Sequence, residues 1–107
     1  MERIKLINDS AAFESAYAGD RPFVLDFYTD NCNPCKTVMR TLEKLAFEYG
    51  KDILFLKTKA DENIKLAQDL GVMKVPTLIF VDKTKKIERA SGLITESALR
   101  IKMKQLA

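Results

Sequence analysis

The chain has no histidine and no tryptophan, and its 107 residues include only two cysteines, three prolines and four glycines. Each shortage narrows what it can do. A zinc centre wants four ligands drawn from Cys, His or carboxylate, so without histidine or a third cysteine no metal site within one chain is expected. A cluster shared between two chains is the metal alternative that is left. There is no internal repeat and no low-complexity linker. The opening residues MERIKLINDS carry charge at Glu2, Arg3 and Lys5 and no apolar run of signal-peptide or membrane-spanning length. A cytosolic, cytoplasmic chain with no membrane partner is therefore expected. Basic residues are dispersed apart from Lys83, Lys85 and Lys86 and have no interleaved aromatics, so no nucleic acid is expected either.

What is present suits one compact domain, residues 1–107, acting as a monomer: 47% of the residues are apolar, enough for a core of its own. The net charge of +3, from 18 basic and 15 acidic residues, reads as a solvated surface with a mild bias toward acidic partners.

The hydrophobic period alternates between strand and helix. A strand is expected over Arg3 to Ile7, then a helix opened by Asn8-Asp9-Ser10, buried through Phe13, Ala16 and Tyr17, and ended by Gly19 and Pro22. FVLDFY, Phe23 to Tyr28, is apolar on both faces, as in a strand covered on both sides, with Asp26 the anomaly. Cys35, Val38, Leu42, Leu45, Ala46 and Tyr49 mark a long helix that Gly50 is expected to close in a left-handed cap. Ile53 to Thr58 reads as a strand, and Asp61 as the cap of a helix buried through Ile64, Leu66, Ala67 and Leu70 and stopped by Gly71. Val75 to Val81 reads as a strand, KIERAS as its antiparallel partner, and Thr95 as the cap of a last helix burying Leu99, Ile101, Met103 and Leu106. The order βαβαβαββα predicts an α/β domain, a three-layer α/β/α sandwich around a mixed central sheet.

Cys32 and Cys35 admit three readings: part of a shared metal cluster, two packed core residues, or a redox couple. In a reducing cytosol a lone pair is seldom a staple, and a four-residue loop gains little from cross-linking. Asp30, Asn31 and Asn33 are polar loop formers, which predicts an exposed Cys32 and disfavours the packed reading. With Cys32 as N-cap, Asn33, Pro34 and Cys35 are the first helical positions, and Pro34 is tolerated because its missing N–H has no partner there. The Cys35 N–H is then the donor that reaches the Cys32 sulfur. That donor and the helix dipole favour a thiolate, making Cys32 the nucleophile. Cys35, on the same helical face and deeper, is placed to attack the mixed disulfide that Cys32 forms.

With those residues in view, the chain resembles the thioredoxin family over nearly its full length. VLDFYTDNCNPCK is similar to that family's active-site strand and helix start, KTKADENIKLAQDLGVMKVPTLIFV to its middle segment, and ASGLI to its late glycine turn. The resemblance implies a thioredoxin-like fold and a thiol–disulfide oxidoreductase that reduces protein disulfides through a redox-active Cys32–Cys35 disulfide. It implies no bound cofactor and recycling by an external NADPH-dependent reductase of the thioredoxin-reductase type. It implies that Asp26, whose burial raises its pKa, takes the proton of Cys35 through a water, with Lys57 as its partner. A hydrogen-bonded core carboxyl is the alternative for Asp26, and a solvated strand end for Lys57. Pro76 matches the family's cis proline facing the disulfide, which leaves the Val75 backbone free to pair with an extended substrate and sets Lys74, Val75, Gly92 and Leu93 around a docking groove. For Gly92 a plain turn is the alternative.

The chain departs from the family's usual W-C-G-P-C at Asn31 and Asn33, and Tyr28 stands where a second tryptophan is common. The missing indole removes an apolar contact beside Cys32, while Asn33 adds a side chain able to hydrogen-bond near the sulfur. Lys74 puts a charge beside the groove and is expected to favour acidic substrates. No histidine lies between the cysteines, which favours a reductant over a strong oxidant. Two rivals follow from these departures: a binding or scaffold module on the same fold, and a glutathione-coupled, glutaredoxin-like enzyme.

Overall fold

The structure is a computed structural model describing residues 3–107. Its elements run β1 (Lys5–Leu6), α1 (Ser10–Ala18), β2 (Phe23–Tyr28), α2 (Asn33–Tyr49), β3 (Leu54–Lys59), a 3-10 turn (Ala60–Glu62), α3 (Ile64–Asp69), β4 (Thr77–Val81), β5 (Ile87–Ser91) and α4 (Glu96–Leu106). The sheet order is β1-β3-β2-β4-β5. β1, β3 and β2 are parallel, whereas β4 and β5 pair antiparallel, so the sheet is mixed.

Successive strand residues face opposite sides. Val24, Phe55, Leu78 and Phe80 meet Val38, Leu42 and Leu45 of α2 and Leu99 and Met103 of α4. Phe23, Leu25, Phe27 and Ile79 meet Phe13 of α1 and Leu66 of α3. Two apolar layers thus sandwich one sheet, the α/β/α arrangement expected from the order of elements.

Several local expectations are corrected. The first strand shrinks from Arg3–Ile7 to Lys5–Leu6, although Ile7 N–H still donates to Lys57 O at 2.8 Å. The fourth begins at Thr77 and not Val75, because Pro76 has no N–H to give a ladder. Gly50 is not left-handed: its φ is −64° and ψ −15°, and a side chain is excluded instead by the Ala46 carbonyl, 2.5 Å from where a Cβ would lie. Asp61 does not cap α3 but lies in the 3-10 turn. Asn63 precedes the helix, and its amide turns back to Thr58 Oγ1 and Lys59 O at 2.9 and 3.2 Å.

Ile64 and Ile101, expected in the core, are about 60% exposed. Each lies two residues from a buried neighbour, Leu66 or Leu99, and residues two apart on a helix do not share a face. Lys85, read with the solvated lysines, is half-buried. It adopts a positive φ of 73° and donates to Tyr17 O and Gly19 O, closing the end of α1, whose last turn has no base of its own.

Candidate active site

The register brings four chain segments to one end of the sheet. Tyr28, the last residue of β2, pairs with Lys59, the last of β3. Phe27 pairs with Thr77, the first of β4, and Thr77 with Ser91, the last of β5. The loop leading to the cysteines, the 3-10 turn, the Lys74–Pro76 segment and Gly92–Leu93 all leave from that end.

Cys32 caps α2. Its backbone is extended, its sulfur accepts the Cys35 N–H at 3.2 Å, and its carbonyl accepts Lys36 N–H at 3.2 Å. Pro34 occupies the first turn, where its missing donor costs nothing. The two sulfurs form a disulfide across Cα atoms 5.2 Å apart. Cys35 is 2% exposed. Cys32 is half-buried and less exposed than its polar neighbours predict, because its sulfur is tied to a buried one. Asn31, Asn33 and Pro34 are exposed around it.

Asp26 is fully buried on the sheet face that packs against α2. Among the described residues neither of its carboxylate oxygens has a hydrogen-bond partner. Burial pushes its pKa from 3.8 up to about 7, against the opposing attraction of Lys57, its register partner on β3. Lys57 is half-buried and shares with Cys35 a cavity of about 180 Å³ that Tyr28, Asp30, Lys36 and Met39 also line. Lys57 and the buried sulfur position therefore open on one small space, with the buried Asp26 carboxyl one strand away from Lys57.

On the other side of the same sheet end, Lys74 is exposed, Val75 half-buried and Pro76 buried, and the Val75–Pro76 peptide is cis. Gly92 has a φ of +86°, a region L-residues avoid, and Leu93 is 67% exposed. A groove of about 380 Å³ runs from Thr29 past Ala67 and Val72 to Met73, Lys74 and Val75. Met73, 95% exposed, is an apolar side chain lining this groove that the sequence pattern did not single out. Lys59 was also missed. It pairs with Asp30 at 3.1 Å, tying the end of β3 to the loop before Cys32, and that ion pair raises the lysine's pKa. Thr77 and Ser91 were missed as well, since neither is distinctive until their pairing across the hairpin is known. A larger concavity, about 460 Å³ beside Lys5, Ala16 and Arg21, lies against the β1–β3 edge and contains neither cysteine.

A mixed five-stranded sheet flanked by helices, with a disulfide of C-x-x-C spacing at a helix N-terminus, defines a thioredoxin-fold thiol–disulfide oxidoreductase. Residues 4–105 match the family model described as Thioredoxin, and the chain belongs to the thioredoxin family. It is 34% identical over 85 residues to a thioredoxin of Borreliella burgdorferi, covering 79% of this chain and 73% of that protein. It is 42% identical over 76 residues to the chloroplastic F-type thioredoxin of Spinacia oleracea, covering 70% of this chain and 40% of that one. The chain thus spans less than half the length of that chloroplastic relative. Among solved structures it superposes on Malassezia sympodialis thioredoxin with a TM-score of 0.86 at 29% identity, covering 96% of this chain and 90% of the other. For Fasciola hepatica thioredoxin the TM-score is 0.86 at 27% identity, covering 97% and 100%.

Proposed function

We propose that the chain, a single thioredoxin-like domain over residues 1–107, is a monomeric cytoplasmic reductant of protein disulfides working through its C-N-P-C motif. The observation that carries this reading is the sulfur cap: the Cys35 N–H donates to Cys32 Sγ at the N-terminus of a 17-residue helix. A thiolate there is favoured by the donor and by the helix dipole.

The reduced Cys32 thiolate attacks one sulfur of a substrate disulfide, forming a mixed disulfide and expelling the substrate's other sulfur as thiolate. Cys35 passes its proton through a water to Asp26, attacks Cys32 Sγ, and expels the second substrate sulfur. Two electrons move from the pair to the substrate, whose thiolates take up two protons, and the Cys32–Cys35 disulfide remains. An external NADPH-dependent, thioredoxin-reductase-type enzyme returns the electrons.

A carboxyl with a pKa of about 7 suits this proton transfer at neutral pH, and the attraction of Lys57 keeps it from rising further. Substrate docks along Val75, between the chain before Pro76 and the turn at Gly92 and Leu93. Lys74 favours acidic segments, and Asn31, Asn33 and Pro34 form the rim beside the nucleophile. No helix among the described residues is long and apolar enough to cross a membrane.

The test is a trap. Cys35→Ser should accumulate a mixed disulfide with a peptide disulfide through Cys32, and Cys32→Ser should accumulate none. Trapping through neither cysteine, with turnover lost in both variants and the biological effect retained, would favour the scaffold reading.

A further inference from the structure

The two carbonyls that flank Val75 both have partners. Pro76 C=O accepts Gly92 N–H at 2.8 Å, extending the β4–β5 ladder one rung beyond Thr77 and Ser91. Lys74 C=O accepts the Thr77 hydroxyl at 2.7 Å. The carbonyl and N–H of a trans peptide point in opposite directions, so holding the Lys74 carbonyl on Thr77 aims the Val75 N–H away from it.

Thr77 Oγ1 also lies 2.9 Å from Ser91 Oγ. A hydroxyl has one proton, and that of Thr77 is committed to a carbonyl that can only accept. Ser91 must therefore donate, and the bonds run one way, from Ser91 to Thr77 to the Lys74 carbonyl. Thr77 is fully buried and Ser91 exposed, so the chain of bonds reaches from the open surface of β5 to the loop before Pro76. Arg89, on the same face of β5, holds the other end of that loop by donating to Leu70 O at 3.2 Å. Gly71 follows with a φ of +70°, and a Cβ there would meet the guanidinium at 2.7 Å.

The geometry points to Thr77 and Ser91 as positioning residues for docking: their hydroxyl relay orients the Lys74–Val75 peptide, and with it the N–H that pairs with the backbone of an extended, disulfide-bearing peptide. The inference rests on the reading of Val75 as the docking edge. Because the relay acts on a peptide backbone and not on sulfur, its loss belongs in KM and not in kcat.

Thr77→Val should raise KM for a peptide disulfide about tenfold, the weight of one buried hydrogen bond, with kcat within twofold. Thr77→Ser should restore KM, and Ser91→Ala should raise it roughly threefold, since the Thr77–Lys74 bond survives. A KM within a factor of 1.5 of the parent in Ser91→Ala, which alters only a surface residue and does not depend on Thr77→Val folding, would overturn the relay. Hydrogen exchange at the Val75 amide in a mixed disulfide trapped by Cys35→Ser separates the two levels. Absent protection there defeats the docking edge and the relay together. Protection that persists undiminished in Cys35→Ser/Thr77→Val, with KM unmoved in the Thr77 variant, defeats the relay alone.

Discussion

Asp26 stands in the middle of β2 with no exposed surface, and its pKa of about 7 has a direct cost in stability. The folded chain holds a proton from about pH 4 to about pH 7 that the unfolded chain releases, because the folded pKa lies above the ordinary 3.8. Stability therefore falls as pH rises through that window and levels off above it. At roughly 1.4 kcal/mol per tenfold, the cost is on the order of 4 kcal/mol above pH 8. Asp26→Asn should unfold at higher urea than the parent at pH 8, by a margin of that order, and the advantage should vanish near pH 4. Equal midpoints at pH 8 would mean that the carboxylate is solvated. The same variant, with Cys35 intact, should slow resolution of the mixed disulfide at neutral pH, read as a longer-lived intermediate in a single-turnover assay. A carboxyl in an apolar run was readable from the sequence, since few signals compete with it in a strand covered on both faces. Ser91 was not, because a serine at a strand end is ordinary until its partner across the hairpin is known.

Element by element, the strands and α2 were legible in their interiors, whereas element ends and the full facing of α3 and α4 were not. The repeat Val38, Leu42, Leu45 fixes the buried face of α2 because burial follows the 3.6-residue period. Helix ends depend on what approaches from elsewhere in the chain. α1 is closed by Lys85, 66 residues from Gly19, which no local pattern can show. Asn63 is drawn back to β3 and leaves Asp61 without the capping role its position suggests. Gly50 has an ordinary right-handed backbone, so propensity alone predicts that Gly50→Ala stabilises by about 0.4–1 kcal/mol. The Ala46 carbonyl, 2.5 Å from the added Cβ, reverses that sign. We expect a loss of about 1–3 kcal/mol, read as a lower urea midpoint at constant slope. A gain would show that the last turn of α2 yields freely.

For the molecule as a whole, alternation along each strand divides the apolar residues between two layers, which is why the three-layer arrangement was readable; Ile64 and Ile101 were misplaced because each lies two positions from a buried helix residue and so on another face. Leu99→Ala, in the layer under α4, should cost about 2–5 kcal/mol, and Ile101→Ala, two positions on and largely exposed, under about 0.5 kcal/mol. Thermal unfolding of the two variants side by side checks the facing of that helix, and similar losses would mean it is rotated. The same architecture joins chemistry to mechanics at the other end. Because the sulfur that caps α2 is also half of the disulfide, a covalent ring closes the first turn of the oxidised chain. Once reduced, that turn is held at its sulfur by one hydrogen bond, worth about 1 kcal/mol. The reduced form is then expected to be the more pliant of the two, free of the ring that stiffens the spent one.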